Sequence, residues 1–255
     1  MCELLGLNFN HPVRCFPSFR GFRHRSVDNP HGWGVARFDG HACQVFKEPV
    51  PASDSPLADF LHGYSAFVSQ TFIGHVRRAT RGELSLGNTH PFVRSLGALE
   101  VAFAHNGTVR LPDSDLAARF RPSGGTDSEL LFCSLLTRIA ERGSDFSDFA
   151  WVERLLGEFN QCGTMNVLFS EGKRLYCYRD KTGHNSLWMV ERSAPFARAR
   201  LLDEDWEVDC GSGKNPEERG CVIATRPLTD EPWEELPCGH LRVIADGVVQ
   251  YAGGC

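Results

Sequence analysis

Cys2 follows Met1 at the head of the chain, in the run Met1-Cys2-Glu3-Leu4-Leu5-Gly6. Removal of Met1 leaves a residue that carries a thiol and a free α-amine together. Such a residue holds a nucleophile and its own base, the arrangement by which an N-terminal residue performs acyl transfer. A cysteine at position 2 has no catalytic meaning alone, so the reading turns on what other segments bring. In Ile73-Gly74-His75-Val76-Arg77-Arg78-Ala79-Thr80-Arg81-Gly82 an apolar run ends in arginine. A guanidinium fork matches the two oxygens of a carboxylate. In Phe103-Ala104-His105-Asn106-Gly107-Thr108 the Asn106 amide and the Gly107 N–H offer two donors in one place. They suit the negative oxygen of a tetrahedral intermediate, although the same Asn-Gly read structurally is a hairpin turn. In Gly124-Gly125-Thr126-Asp127-Ser128-Glu129 the aspartate falls in the first turn of a helix, where the macrodipole favours a carboxylate. An ionised Asp127 suits a substrate ammonium. Arginine for a carboxylate and aspartate for an ammonium together describe an α-amino acid. The segment Asn88-Thr89-His90-Pro91-Phe92 reads as loop support around a proline, with His90 in a structural hydrogen bond.

The elements that position these groups are mostly strands. β-Forming runs cover residues 4–9, 33–38, 43–46, 72–76, 99–104, 166–169, 174–178, 187–190, 221–224, 241–245 and 248–251. Residues 170–173 join two of them as a hairpin, and Asp246-Gly247 is a strong two-residue turn signal. Two helices are expected. One starts on the Thr126-x-x-Glu129 capping box and stops near Gly143. The other covers about residues 148–159, and a third, shorter one is indicated at 55–62. Residues 20–25, with three arginines, read as a solvated loop, and residues 197–218 as a surface excursion. Many strands and few helices place the chain in the α+β class.

The bulk composition narrows the function classes. The chain has 255 residues, 42% hydrophobic and 23% charged, with a formal net charge of −5. A core of useful size fits this length, and no global basic field attracts nucleic acid. No apolar run is long enough to span a membrane, and no signal peptide precedes the first strand. The ten cysteines are scattered and contain no Cys-x-x-Cys pair. They are expected to be reduced thiols in a cytoplasmic protein, without zinc.

Taken together, Cys2, the Gly74-to-Thr80 segment, His105-Asn106-Gly107 and Thr126-Asp127-Ser128-Glu129 stand in the order and spacing of class II glutamine amidotransferases. The chain resembles that family over residues 2–249, and Gly32-Trp33-Gly34 with Asn88-Thr89-His90-Pro91-Phe92 resembles its stand-alone bacterial members. The resemblance implies a four-layer αββα N-terminal-nucleophile hydrolase sandwich with two mainly antiparallel sheets. It implies Cys2 as nucleophile, Asn106 and Gly107 as oxyanion hole, Arg77 as clamp of the glutamine α-carboxylate with Thr80 nearby, and Asp127 as anchor of the α-amino group. No metal or organic cofactor is implied. The substrate would be glutamine, or alternatively a γ-glutamyl peptide or conjugate, and a separate synthase subunit could receive the ammonia. One domain over residues 2–251, with no synthase domain behind it, is the expected organisation. Arg78 and Arg81 stand where the family often carries an aromatic residue and a histidine, which implies a different pocket lid.

Overall fold

The computed structural model describes residues 2–79, 82–112, 119–143, 145–211 and 215–254. Its plan follows from the first strand, β1 (Glu3–Arg14), whose side chains alternate between two buried faces. Leu5, Leu7 and Phe9 join one apolar cluster and Leu4 another. A strand covered on both faces belongs inside a layered structure. After it come α1 (Phe16–His24), β2 (Trp33–Asp39), β3 (Ala42–Glu48), α2 (Pro56–Gly63), β4 (Val68–Val76), β5 (Phe92–Leu96) and β6 (Leu99–Val109). The second half contains α3 (Asp127–Glu141), α4 (Phe149–Phe159), β7 (Gly163–Ser170), β8 (Arg174–Tyr178) and β9 (Trp188–Ser193). A small hairpin of β10 (Arg198–Arg200) and β11 (Glu207–Asp209) precedes β12 (Arg219–Ala224), β13 (Glu234–Glu235), β14 (Leu241–Ala245) and β15 (Val248–Ala252).

Two sheets result. The first has the order β13-β9-β12-β1-β4-β2-β3, and the second β15-β14-β8-β7-β6-β5, with antiparallel pairing throughout. Leu4, Ala36 and Ile73 of the first sheet meet Ala102, Ala104, Leu168 and Leu175 of the second in a shared apolar layer. Gly6 lets the sheets approach, since a Cβ there would stand 2.9 Å from Leu175 Cδ2 and 3.2 Å from Leu168 Cδ1. Helix α1 and α2 residues cover the outer face of the first sheet beside Phe72 and Val76. Leu131, Leu135 and Ile139 of α3, with Leu155 and Leu156 of α4, cover the outer face of the second beside Phe103 and Phe169. The architecture is an αββα sandwich.

Local sequence accounts for most elements. Ser55 and Asp148 cap α2 and α4 by accepting from Ala58 N–H at 3.0 Å and Trp151 N–H at 3.1 Å. Asp246 and Gly247 turn β14 into β15 with φ of 52° and 73°, the two positive values of the expected hairpin turn. Four expectations need correction. The capping box at Thr126 forms by half: Thr126 Oγ1 accepts Glu129 N–H at 3.2 Å. The Glu129 carboxylate, however, is taken by Arg94 and by the N–H groups of Ser123 and Gly124. Strand β6 runs on through Asn106-Gly107 to Val109, opposite β7, so this Asn-Gly is not a turn. The arginine-rich segment is helix α1, and Arg25 after it is buried. The 197–218 segment is more than a surface excursion, because Ala199, Leu201, Val208 and Cys210 of its hairpin form their own buried cluster. The nine described cysteines are free thiols. Among the described residues no helix is long and apolar enough to cross a membrane.

Candidate active site

Cys2 sits just ahead of β1, the central strand of the seven-stranded sheet. Glu3 pairs with Val76 of β4, so Cys2 and Arg77 come side by side immediately beyond the paired ends. The Arg78 N–H donates to Cys2 Sγ at 3.1 Å, and the thiol lies 3.4 Å from the Arg78 carbonyl oxygen that accepts from it. Burial pushes the Cys2 thiol above its ordinary range, while the Arg78 N–H and the charges nearby, Arg77 among them, pull it back. A thiol so placed is protonated at neutral pH and needs a base to become a nucleophile.

The Arg77 backbone is locked by His31 and Gly32, just ahead of β2. Its N–H donates to Gly32 O at 2.7 Å, and its carbonyl accepts from His31 N–H at 3.0 Å. The side chain is buried, and Nη1 donates to Glu83 O at 3.3 Å. His31 Nδ1 accepts the Ala79 N–H at 2.9 Å, which holds the chain just beyond the residue that touches the thiol. The Arg78 side chain is exposed. Thr80 and Arg81 lie outside the described residues.

The facing sheet contributes the donors. Asn106 points into the inter-sheet layer, two residues beyond Ala104, and its Nδ2 donates to the Cys2 backbone carbonyl at 2.5 Å. That amide nitrogen keeps a second hydrogen. Gly107 is fixed by close packing, because a Cβ would overlap the Thr164 carbonyl oxygen of β7. His105, on the opposite face, lies 2.9 Å from Ser128 Oγ and 3.2 Å from Thr164 O. A carbonyl only accepts, so Nε2 carries the proton and the Ser128 hydroxyl donates to Nδ1. Burial lowers the His105 pKa against the opposing charge of Asp127, and the ring stays neutral. Asp127 stands at the first turn of α3, and its Oδ2 accepts the Val109 N–H at 2.8 Å. The helix start is thereby tied to the end of β6.

His90 corrects a sequence expectation. Both its ring nitrogens, and both of His75, are buried with no hydrogen-bond partner among the described residues. The two rings lie 4.2 Å apart, and His90 also packs 4.4 Å from Phe92. Burial holds His75 down to about 3 and His90 well below its usual value. Asn88 carries the support expected of that segment, since its Oδ1 accepts Gly125 N–H at 2.9 Å and its Nδ2 donates to Glu83 O at 3.1 Å.

Cys2, Arg77, Asn106, Gly107 and Asp127 thus converge on the ends of β1, β4 and β6 and the start of α3. Sequence reasoning missed the groups that hold them. Glu3 is buried between Arg25 Nη1 at 3.0 Å and Arg226 Nε at 2.8 Å, and Arg25 Nε reaches Asp203 at 2.7 Å. Thr225 Oγ1 accepts the Leu4 N–H at 2.8 Å. Asn185 Nδ2 donates to Asn106 Oδ1 at 3.2 Å. These partners lie between 22 and 223 residues apart, and no local pattern announces them.

Comparison with known proteins places the chain by sequence and by fold. The sequence family described as glutamine amidotransferases class-II matches residues 1–254. A protein of Methanocaldococcus jannaschii is 41% identical over 255 residues, covering 99% of this chain and 71% of that protein. YafJ of Escherichia coli K12, named as a candidate glutamine amidotransferase, is 38% identical over 256 residues, covering 97% of this chain and 98% of that one. The crystal structure titled as a predicted glutamine amidotransferase from Pseudomonas aeruginosa PA01 superposes with a TM-score of 0.71 at 31% identity, over 98% of this chain and all of that one.

Proposed function

We propose a function that proceeds from one premise: this chain belongs to the class II glutamine amidotransferases. In this reading, residues 2–251 form one catalytic domain that hydrolyses the γ-amide of glutamine. Met1 is removed, and the α-amine of Cys2, with a reference pKa of about 8, takes the thiol proton. The thiolate attacks the γ-carbonyl carbon, forming a C–S bond and an oxyanion. Asn106 Nδ2 and the Gly107 N–H receive that oxyanion. The ammonium formed on Cys2 returns its proton to the departing nitrogen, and ammonia leaves a γ-glutamyl thioester. Water attacks the thioester, and glutamate is released with the thiol restored. Arg77 binds the α-carboxylate and Asp127 the α-ammonium. The ammonia passes to water or to an acceptor on a separate synthase.

The observation that carries the proposal is the position of Cys2 Sγ. It lies 3.1 Å from the Arg78 N–H, next to Arg77, with the Asn106 amide against the carbonyl of the same cysteine. A second reading, hydrolysis of γ-glutamyl peptides or conjugates, draws on Arg78. Its side chain is exposed while its backbone holds the thiol, so an exposed guanidinium beside the nucleophile could meet the acidic group of a peptide-like leaving amine.

The test is glutamate release from glutamine and from a series of γ-glutamyl amides, alongside the intact mass of the purified protein. Cys2→Ala is expected to lower turnover by roughly 10⁴-fold or more with its melting temperature retained. Wild-type turnover in that variant, or an active protein that keeps Met1, sinks the mechanism. A kcat/KM at least about tenfold higher for glutamine than for every larger amide selects the first reading, and the reverse order the second.

A further inference from the structure

We propose that Asn185, in the loop after β8, is a positioning residue that sets the amide orientation of Asn106 and so aims the oxyanion donor. The proposal rests on the glutaminase reading for its kinetic consequence, and on geometry alone for its structural one. An asparagine amide rotates about χ2 between two nearly equivalent arrangements. In one, Asn106 presents Nδ2 toward Cys2. In the other it presents Oδ1, which would repel a developing negative oxygen. Its surroundings decide. On one side lies the Cys2 carbonyl oxygen, which accepts from Nδ2 at 2.5 Å. On the other lies Asn185 Nδ2, which donates to Oδ1 at 3.2 Å. Both asparagines are buried, at 4% and 6% exposure, so water does not substitute for either partner.

Asn185 is itself held in place. Its backbone carbonyl accepts from Asn166 Nδ2 at 3.1 Å, and Asn166 Oδ1 accepts the Asp180 N–H at 2.8 Å. Asn166 lies directly across from Asn106 in the β6–β7 register. The loop that carries Asn185 is thus tied to the strand pair that carries the oxyanion donor. Asp180 anchors the far end, its two oxygens accepting from Asn160, Met165 and Thr182. The donors run in one sense from the Asp180 N–H through Asn166, Asn185 and Asn106 to the Cys2 backbone carbonyl. As Nδ2 gives its second hydrogen to the oxyanion, Oδ1 gains partial charge that the Asn185 N–H stabilises.

The experiment compares Asn185→Ala with Asn185→Asp, which keeps the shape but replaces the donor with an acceptor. Loss of a direct oxyanion donor lowers kcat on the order of 10²–10³-fold. A mispositioned one is expected to lower it by about 10-fold for Asn185→Ala and about 100-fold for Asn185→Asp, with KM within about twofold. Alkylation of Cys2 by iodoacetamide, which needs no oxyanion hole, is expected at the wild-type rate. A kcat within twofold of wild type in both variants, or a parallel change in kcat and KM, overturns the proposal. So does a neutron diffraction structure of Asn185→Asp, which distinguishes amide nitrogen from oxygen, in which Asn106 Nδ2 still faces the Cys2 carbonyl; the expected structure has the amide turned. That structural result decides the matter even if the wild-type protein releases no glutamate, an outcome that would sink the functional reading and leave this one standing.

Discussion

The two halves of the site are built by different means. The half proposed to carry the oxyanion donors, on β6 and the start of α3, is held by hydrogen bonds and apolar packing. Thr126 caps the helix, Asp127 accepts from Val109, Ser128 binds His105, and the apolar faces of α3 and α4 pack on the sheet behind. The half proposed to carry the nucleophile, on β1 and β4, is held by charge. Glu3 lies buried beside Cys2, between Arg25 and Arg226, and Arg25 also reaches Asp203 and the carbonyls of Arg226 and Pro227. Burial pushes the Glu3 carboxyl above its usual range, against the two guanidinium groups that pull it down. A hydrophobic face tolerates small adjustments. A buried ion cluster does not, because removing one member leaves another charge unpaired. The nucleophile half therefore depends on a buried charged cluster, and the donor half on hydrogen bonds, of which the Asn185–Asn106 contact spans 79 residues.

Removal of one member of the charged cluster should produce the largest break between the halves. Arg25→Ala is expected to cost about 3–5 kcal/mol of unfolding free energy in urea titration, together with a slower reaction of Cys2 with iodoacetamide. A loss under about 1 kcal/mol would remove the distinction. Asn106→Ala should do the reverse, lowering kcat on the order of 10²–10³-fold, or about 3–4 kcal/mol in barrier, with the Cys2 alkylation rate unchanged. An alkylation rate that falls with kcat would mean that the halves are not separable.

Acid should sharpen the contrast further. His75 is held neutral to about 3 and His90 well below its ordinary value, both first by burial. Their folded-state pKa values are depressed below the unfolded value of about 6.5. The stability they represent is thus complete above pH 6.5 and is lost as pH falls toward 3. Asp180 is lowered to about 2 because hydrogen bonds from Thr182, Met165 and Asn160 outweigh its burial, and its contribution erodes only below about pH 4. Between pH 6.5 and 4 the urea midpoint should therefore drop, and His75→Asn should flatten that slope. An unchanged slope would rule out the histidine pair as its source. The smallest effect belongs to Thr126→Ala, which should cost about 1 kcal/mol through loss of the cap. Circular dichroism melting would detect it, and a cost near that of Arg25→Ala would erase the comparison.

What was readable from sequence divides along the same line. α3, α4 and α2 were legible from their caps and apolar spacing, and β14–β15 from Asp246-Gly247. α1 was not, because the acidic partners of Arg20 and Arg23, Glu204 and Asp59, lie far away in sequence. Glu204, which binds Arg20 in a two-point contact, lies 184 residues away, in the stretch between β10 and β11. The course of β6 through Asn106-Gly107 was misjudged because local turn preference yields to an eight-residue pairing with β7. Cys2, Arg77, Asn106, Gly107 and Asp127 could be named because each stands in a recognisable short motif. Asn185, Ser128 and His31 act through single contacts made in three dimensions and leave no such trace.

The central position of β1 also has a consequence in time. One edge pairs with β4, but the other waits for β12, where Leu5 meets Ala224, and Leu4 for Thr225. At about 5–20 residues per second of synthesis, the partner for that edge emerges from the ribosome roughly 10–45 s after the first strand. Through that interval the leading end of the chain is only half paired. Under the proposed mechanism, an aminopeptidase that trims Met1 has the same interval in which to act, before the sheet closes on both sides of Glu3.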